Sequence, residues 1–279
     1  MYLVFNCGGS STKIGVSTDG QSIKKFSRFA TYQNFDQQLE KIAEVAGEMV
    51  GGDRLQAIAG GIAGLWQADR TKLYYSPNLP GWNKIPIRKK IQDRFGVRVK
   101  LANDVEMEGL GEANVGAGRR SRIVVYMGIG TGIGGVKIEE GKICSRLFGF
   151  EPGYQIIDFG EEIGYLENFA GGAAMKKIYG KEPEDIVDPE IWDKETQLIA
   201  MGVHNAIMFW SPEIVILGGS LMKKIKLESL KNKLAMQNNM LPKLPEIVVS
   251  ELKEKAGLYG ALEYLSVDDT GRMGGLGRS

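Results

Sequence analysis

The stretch LANDVEMEGLGEANVGAGRRSRIVVYMGIGTGIGG, from Leu101 to Gly135, reads as a strand, a helix, a second strand and a glycine-dense loop. Asn103 and Asp104 stand where the first strand gives way to the helix. A candidate catalytic base therefore lies close in sequence to a candidate phosphate-binding loop. Since phosphoryl transfer is carried out by positioned groups of these two kinds, the stretch points to that chemistry.

Strand and helix patterns alternate on both sides of this stretch. A strand, a glycine turn and a second strand open the chain over Met1–Val16, and the same pattern returns over Ser121–Glu139. Apolar residues at helical spacing predict helices over Phe35–Gly51, around Leu166–Tyr179 and around Lys194–Trp210. This alternation favours an α/β fold built on mixed, twisted sheets.

The two similar openings suggest a duplicated unit and hence two lobes. We expect an N-terminal α/β lobe over residues 1–110, completed by a C-terminal helix over 255–266, and a second α/β lobe over 111–254. Residues 267–279 form a polar, glycine-rich segment that we expect to be a flexible tail. The cleft between two such lobes is the expected ligand site.

Composition narrows the class of partner. The chain has 279 residues with 35 Lys and Arg against 34 Asp and Glu, a formal charge of +1, so no bulk field attracts nucleic acid or a membrane. A small molecule is the more natural partner. Cys7 and Cys144 are far apart and form no CxxC, which argues against a disulfide framework or a thiolate-rich zinc site and favours a reducing cytoplasm. The sequence MYLVFN is too short for a signal peptide or a membrane span.

The single histidine is not a candidate for catalysis. His204 lies in the apolar-rich stretch QLIAMGVHNAIMFW, where a structural histidine is the more common interpretation. If the protein moves a proton, carboxylates are then the natural acid and base.

Three glycine-rich turns each follow an apolar strand. They are Gly8-Gly9-Ser10-Ser11, Gly130-Thr131-Gly132 and Gly218-Gly219-Ser220. Taken singly, each is more often a turn than a phosphate site. Three such loops at strand ends favour ligand binding, because ligands of open α/β sheets gather there. None matches GxxxxGK[ST], and the GxGxxG in GIGTGIGG leads into a strand, unlike a dinucleotide fingerprint.

Asp104 has two interpretations. An Asn-Asp pair before VEMEGLGEA is a good helix N-cap, and taken alone this favours capping. Its position at a strand end, in a chain without a spare histidine, makes the role of general base competitive.

Glu151 and Glu167 flank the loop EPGYQIIDFGEEIGYLE. A solvated acidic loop is the default interpretation. The sharper one is a pair of carboxylates that accept hydrogen bonds from the hydroxyl groups of a sugar.

Together these segments resemble the ROK family of sugar kinases, within the actin-like ATPase superfamily. The matching segments, in the family's order, are NCGGSSTKIGV, GGIAGLWQADRTKLYYSPNLPGW, LANDVEMEGLGE, GIGTGIGG, EPGY, YLENFAGGAAM and SPEIVILGGS. Seven ordered segments from Met1 to about Leu265 make the resemblance specific. It implies two ribonuclease-H-like lobes with mixed central sheets and an interlobe cleft.

The resemblance also implies an activity: ATP with Mg²⁺ phosphorylates a hexose hydroxyl, most simply the C6 hydroxyl of glucose. Asp104 would then be the general base. The implied sugar-binding residues are Gly64, Asn78, Asn103, Asp104, Glu151, Tyr154 and Glu167. The implied nucleotide and phosphate residues are Asn6, Gly8, Gly9, Ser10, Ser11, Lys13, Gly130, Thr131, Gly132, Gly218 and Gly219.

Two departures from the family pattern matter. Where zinc-binding relatives carry cysteines and a histidine, this chain reads DFGEEIGYLE with Tyr154, so we expect no zinc. Asn6 replaces the aspartate of the first phosphate motif, which in relatives helps to organise Mg²⁺ and its waters. Asparagine keeps an oxygen and loses the charge, which leaves metal handling and the phosphoryl donor open.

Other functions stay open at this point. Polyphosphate could replace ATP as donor, and the substrate could be fructose or N-acetylmannosamine in place of glucose. Some family members are sugar-responsive repressors with a DNA-binding segment ahead of the first motif, and here the first strand begins at Met1, which disfavours that class. We therefore expect no nucleic-acid partner, and homodimerisation follows from the resemblance alone.

Overall fold

The computed structural model describes residues 1–160 and 163–266, so the predicted tail over 267–279 lies outside the described residues. The chain divides into two compact units. Unit 1 contains Met1–Val115, Ser145–Gly149 and the C-terminal residues from Glu254, and unit 2 contains Gly116–Cys144 and Phe150–Lys253.

The described residues form strands and helices in alternation. The strands are β1 (Tyr2–Cys7), β2 (Ser11–Ser17), β3 (Lys25–Ala30), β4 (Ala57–Ile62), β5 (Leu65–Trp66), β6 (Leu73–Tyr75), β7 (Arg98–Ala102), β8 (Ile123–Ile129), β9 (Ile133–Glu139), β10 (Lys142–Ile143), β11 (Ile156–Phe159), β12 (Ile163–Tyr165), β13 (Ile214–Gly218) and β14 (Glu246–Val249). The α-helices are α1 (Phe35–Val50), α2 (Ile87–Phe95), α3 (Asp104–Asn114), α4 (Leu166–Phe169), α5 (Gly172–Tyr179), α6 (Pro189–Trp210), α7 (Leu227–Gln237) and α8 (Ala256–Ser266).

The two units have the same sheet topology. In unit 1 the strand order is β3-β2-β1-β4-β7, with β1, β2 and β3 antiparallel and β4 and β7 parallel to β1. In unit 2 the order is β10-β9-β8-β13-β14, with the same directions in the same places. The predicted α/β fold with a mixed central sheet in each half is therefore confirmed, and the sequence pseudo-repeat corresponds to a repeated topology.

The central strands of unit 1 are buried because helices cover both faces of the sheet. Side chains alternate along β1, so Leu3 and Phe5 enter a core with α1 and α2, while Val4 enters a second core with α3 and α8. Burial on both faces explains why these strands read as apolar runs rather than as alternating patterns.

The helix predicted around Leu166–Tyr179 is wrong as a single element. The structure has α4, a break at Ala170 and Gly171, and then α5. Gly171 has φ +96°, a left-handed value that interrupts a helix and that glycine adopts without strain. Its N–H group donates 2.8 Å to the buried Oε1 of Glu195, so a residue from another helix holds the break.

One helix boundary and one strand also differ from the sequence expectation. The helix predicted from Lys194 begins at Pro189, where the Asp188 side chain accepts the Glu190 N–H at 2.9 Å and proline occupies the first turn. Strand β14 was not predicted, because four residues at a sheet edge give too short a pattern to recognise. It extends the sheet of unit 2 by pairing in parallel with β13.

Candidate functional site

In unit 1 the carboxyl ends of three neighbouring parallel strands bring the first group of predicted residues together. Asn6 of β1 pairs in register with Gly61 of β4, and Gly61 pairs with Ala102 of β7, immediately before Asn103 and Asp104. Strand ends on one edge of an α/β sheet are where such folds gather their ligands. The first glycine loop, after β1, belongs to the same edge.

Asn103, and not Asp104, caps α3. Its Oδ1 accepts the N–H groups of Val105 at 2.8 Å and Glu106 at 3.2 Å, and Glu106 Oε2 accepts the Asn103 N–H at 3.4 Å, which completes a capping box. The capping role that the sequence alone favoured for Asp104 is thus wrong. Asp104 is the first residue of α3, and its carboxylate is not the N-cap of the helix.

Asn103 is also hydrogen-bonded to a second predicted sugar-binding residue. Its Nδ2 donates 3.1 Å to the carbonyl oxygen of Gly64. Because an amide nitrogen has two hydrogens, one remains for a ligand after this bond. The role of Asn103 and Gly64 in sugar binding stays a prediction.

The environment of Asp104 favours the neutral acid more than usual. Burial raises the pKa of the Asp104 carboxyl to about 7, and the negative charge of Glu108 adds to the rise. Lys13 and the backbone N–H groups of Val105 and Asp104 oppose it. A carboxylate with a pKa near neutrality can accept a proton at physiological pH and release it again.

Asn6 is buried beside Asp104, with only 2% of its surface exposed. Its Nδ2 donates 3.1 Å to Glu108 Oε1, and its Oδ1 is buried and accepts no hydrogen bond in the described part of the chain. Glycine at position 61 permits this arrangement. A Cβ there would lie 2.0 Å from Asn6 Oδ1 and 2.8 Å from the Asp104 Cα.

We therefore expect Gly61→Ala to destabilise the protein by about 1–3 kcal/mol, because Asn6 or the start of α3 must move. Urea unfolding measures the change. Gly47→Ala on the exposed side of α1 is the matched control: its Cβ meets nothing within 4 Å, and alanine should be neutral or stabilising there. Equal stability of the two variants would contradict the packing described for Gly61.

The first glycine loop is a closed turn between β1 and β2. The Gly8 N–H donates 3.1 Å to the Ser11 carbonyl, and Thr31 holds the loop through its N–H to Ser10 O at 3.2 Å and its Oγ1 to Gly8 O at 2.8 Å. Ser10 is exposed at its tip. A Cβ on Gly8 would lie 3.7 Å from Asp104 Oδ2, so the loop and the candidate base are neighbours.

The other two unit 1 residues of the predicted site are Asn78 and Lys13. Asn78 packs against it, since a Cβ on Gly9 would lie 2.7 Å from the Asn78 Cβ. Lys13 is the register partner of Asn6 on β2, and its positive charge acts on Asp104. Unit 1 thus brings together a carboxyl group that is a candidate base, a lysine and a backbone loop.

In unit 2 the second glycine loop, Gly130-Thr131-Gly132, is held by the start of α5. The Gly130 N–H donates 3.0 Å to Gly132 O, while Gly172 and Ala173 donate N–H groups at 2.8 Å to the carbonyls of Gly130 and Thr131. Thr131 remains exposed. The helix break at Gly171 is therefore a part of the loop's support.

The third loop, Gly218-Gly219-Ser220, lies next to the second. Gly128 and Gly218 are register partners on β8 and β13, and a Cβ on Gly130 would lie 3.9 Å from Ser220 Oγ. Gly219 has φ +92°, the left-handed region that favours glycine. Two of the three predicted phosphate loops are thus adjacent within unit 2.

Glu167, Glu151 and Tyr154 have different surroundings in unit 2. Glu167 Oε2 accepts the Ile133 N–H at 2.7 Å, directly after the second glycine loop. Glu151 is exposed and precedes a single 3-10 turn that contains Tyr154. The Tyr154 ring is half exposed and contacts the Tyr165 ring at a centroid distance of 5.6 Å. Their contact with a sugar stays a prediction.

Sequence reasoning missed three acidic residues that the structure brings to these sites. Glu108 faces Asn6, Glu106 completes the α3 capping box, and Glu195 holds Gly171. The spacing of Glu108 and Asp104, four residues apart on a predicted helix, was a usable signal. Glu195 gave none, because its partner lies 24 residues away.

Glu195 makes stability depend on pH. Burial raises its pKa from the usual 4.5 to about 7, with the Gly171 N–H opposing the rise. The fold therefore favours the protonated acid, and stability falls as the pH rises through this window. We expect Glu195→Gln, which cannot ionise, to stabilise the protein by on the order of 2 kcal/mol at pH 8 and by much less at pH 4.5. Denaturant unfolding at both pH values checks this, and an equal effect at both would contradict it.

Neither a metal cage nor a membrane span is present among residues 1–160 and 163–266. No group of three or more His, Cys, Asp or Glu side chains in these ranges could hold a metal ion. No helix in the same ranges is both long and apolar enough to cross a bilayer. His204, which was given no catalytic role, has a buried Nδ1 without a hydrogen-bond partner in the described structure.

Known proteins resemble the chain over most of its length. The glucokinase of Thermotoga maritima is 28% identical over 302 residues, which cover 92% of this chain and 95% of that enzyme. The xylose repressor of Caldicellulosiruptor bescii is 24% identical over 248 residues, covering 75% of this chain and 62% of the repressor.

A solved structure shares the fold. The ROK family glucokinase from Streptomyces griseus, in complex with glucose and AMPPNP, has a TM-score of 0.82 at 21% identity and covers 94% of this chain and 98% of that chain. The sequence pattern of the ROK family matches residues 2–266, a range that contains all three glycine loops and the Asn-Asp helix start. The chain therefore belongs to the ROK family.

Proposed function

We propose that the protein transfers the γ-phosphoryl group of ATP to a hexose hydroxyl, with Asp104 as general base. One observation carries this proposal: a carboxylate with a pKa near 7 stands at the start of α3, not used as a cap, beside the first glycine loop. The family relatives that are named glucokinase support the same class of reaction.

Asp104 has the properties that the reaction requires. Phosphoryl transfer passes through a loose transition state, so the acceptor hydroxyl needs alignment first and loses its proton late. A base whose pKa lies near the operating pH suits this role, because it is ionised often enough to accept the proton. The first-turn position also orients the carboxylate through the backbone of α3.

The glycine loops would surround the phosphates. Backbone N–H groups without a neighbouring Cβ approach phosphate oxygens closely. In this proposal the transferred γ-phosphoryl group lies near Gly8 to Ser11, Lys13 and Asn6. The rest of the nucleotide is bordered by Gly130 to Gly132 and by Gly218 and Gly219. Mg²⁺ would arrive as part of the Mg·ATP substrate and neutralise phosphate charge.

The sugar would be held by hydrogen bonds to its hydroxyl groups. The proposed partners are the remaining amide hydrogen of Asn103, the side chains of Asn78, Glu151 and Glu167, and the backbone at Gly64. Glucose is the default substrate, and Tyr154, which stands where relatives have histidine, keeps fructose and N-acetylmannosamine as alternatives.

ATP chemistry and two cysteines that form no disulfide support a cytoplasmic location.

Two alternative functions have a motivating observation. The neutral Asn6 leaves polyphosphate as a second candidate donor. The likeness to a xylose repressor supports a sugar-responsive regulator. The regulator would bind a sugar without consuming a phosphoryl donor.

A coupled ADP-release screen tests the proposal. Purified protein with Mg·ATP is given glucose, fructose, mannose, N-acetylmannosamine and N-acetylglucosamine in turn, and a parallel series replaces ATP with polyphosphate and measures the sugar phosphate. We expect ADP release that depends on one of these sugars. Sugar phosphate formed from polyphosphate alone would favour the second donor, and sugar binding without turnover on either donor would favour the regulator.

A further inference from the structure

A contact between the first strand and the helix of the candidate base has no role in the mechanism above. Asn6 Nδ2 donates 3.1 Å to Glu108 Oε1 across 102 residues of sequence. Asn6 is almost fully buried, so its neutral amide lies in the interior of unit 1. The Asn6 amide is buried with its Oδ1 unpaired among the described residues, which costs stability. The bond to Glu108 satisfies its Nδ2 and limits that cost.

The Asn6 amide is held in one orientation. A Cβ at Gly61 would lie 2.0 Å from its Oδ1, and a Cβ at Gly257 of α8 would lie 2.5 Å from its Nδ2. The side chain is therefore packed tightly between a strand and a helix. A rotation of the amide would turn Oδ1 toward the Glu108 carboxylate, where two acceptors would repel each other.

Glu108 stands one helical turn after Asp104. Residues four apart on a helix share a face, and two like charges in this arrangement repel. Asp104 therefore faces Glu108 on α3, Lys13 on β2 and the Cys7 thiol on β1, whose pKa burial raises to about 12. The charge of Glu108 raises the pKa of Asp104, whereas that of Lys13 lowers it.

We propose that Glu108 is a positioning residue for the reaction: the neutral Asn6 amide holds its carboxylate one turn from Asp104, and this second negative charge keeps Asp104 able to take up the proton of the acceptor hydroxyl. The inference rests on the proposed function for its catalytic meaning. The pairing of Asn6 with Glu108 is a separate structural claim. It implies that residues 6 and 108 are matched, since an aspartate at position 6 would set one carboxylate against another.

The first test needs no activity. Thermal unfolding at pH 8 compares wild type, Asn6→Asp, Glu108→Gln and the double variant. We expect Asn6→Asp to lower Tm by several degrees and Glu108→Gln to change it little. In the double variant the amide introduced at position 108 can donate to the carboxylate introduced at position 6, so we expect most of the lost Tm to return. Additive effects of the two substitutions would overturn the pairing.

The second test measures how the charge of Glu108 changes the titration of Asp104. The difference in unfolding stability between wild type and Asp104→Asn is followed from pH 4 to pH 9, in the native and the Glu108→Gln backgrounds. We expect the midpoint of the change to move to lower pH by about one unit when Glu108 is neutral. Glu48→Gln, which removes the same charge from the exposed face of α1, should leave the midpoint in place. An unmoved midpoint with Glu108→Gln would overturn the proposal.

The kinetic test separates this inference from the proposed function. With a sugar substrate in hand, Glu108→Gln should shift the acidic limb of the kcat/KM profile in the same direction, whereas a purely structural role would lower kcat without moving the limb. If no sugar is phosphorylated by wild type, the proposed function fails. The unfolding experiments then still decide whether Glu108 acts on Asp104.

Discussion

Replacing Asp104 with asparagine is expected to lower kcat for sugar phosphorylation by about 10²–10⁴-fold, the range for loss of a positioned general base. The variant keeps the size and polarity of the side chain and loses only the ability to take up a proton. KM for the sugar should change much less than kcat, because the substitution leaves the backbone of α3 and the Asn103 cap in place. Initial rates of ADP release across a range of sugar concentrations measure both constants.

The stability of the same variant shows whether a loss of activity comes from unfolding. Because the folded protein raises the pKa of Asp104 to about 7, ionisation of this group costs stability as the pH rises from about 4 toward 8. Asp104→Asn should therefore be at least as stable as wild type at pH 8. Asp93→Asn, an exposed residue of α2 that pairs with Lys89, is the control and should keep full activity. Full turnover in a folded Asp104→Asn variant would exclude Asp104 as the base.

Wild-type activity should also follow the titration of Asp104. The base works only when ionised, so kcat/KM should rise with pH to about 7 and then level off. A profile that is flat from pH 5 to pH 9 would contradict this assignment.

Replacing Glu106 with alanine is expected to destabilise the protein by about 3–5 kcal/mol, the cost of breaking a buried ion pair by removing one partner. Glu106 is 1% exposed, and Arg146 contacts both of its oxygens at 2.5 Å through Nε and Nη2. Arg70 Nη2 lies 3.7 Å from Oε1. Without the carboxylate, two nearly buried guanidinium groups lose their counter-charge, and Asn103 loses its capping-box partner.

Two measurements separate this network from an ordinary surface pair. Glu40→Ala removes a carboxylate with similar two-point contacts to Arg94, but both groups are exposed, so its effect on stability should be small. Glu106→Gln keeps an oxygen for the Asn103 N–H and should be less damaging than alanine. If Glu106→Ala and Glu40→Ala lower the unfolding midpoint equally, the buried network does not stabilise α3 as described.

Much of the fold could be predicted because its signals are local. Apolar runs that end in glycine indicate strands and turns within about ten residues, and the repeated opening at Met1–Val16 and Ser121–Glu139 predicts two similar halves. Both halves have the same strand order in the structure. The helix break at Gly171 was missed because the residue that holds it, the buried Glu195, comes from a helix farther along the chain.

The site was predictable in its loops and less so in its side chains. The sequence placed Asn103 and Asp104 at a helix start, yet it could not decide which of the two caps the helix, since both residue types are good caps. The hydrogen bonds of Asn103 decide it. The partners of Glu106 and Glu108 lie 40 and 102 residues away and depend on the tertiary fold.

The most direct test of the central claim follows the phosphoryl group itself. Protein is mixed with ATP labelled at the γ-phosphate, Mg²⁺ and each hexose of the panel at pH 8, and the label is located after a single turnover. We expect it on the sugar with wild type and almost none there with Asp104→Asn over the same time. Label that stays on ATP or appears only as free phosphate with every hexose, or equal transfer by both proteins, would contradict a sugar kinase that uses Asp104 as its base.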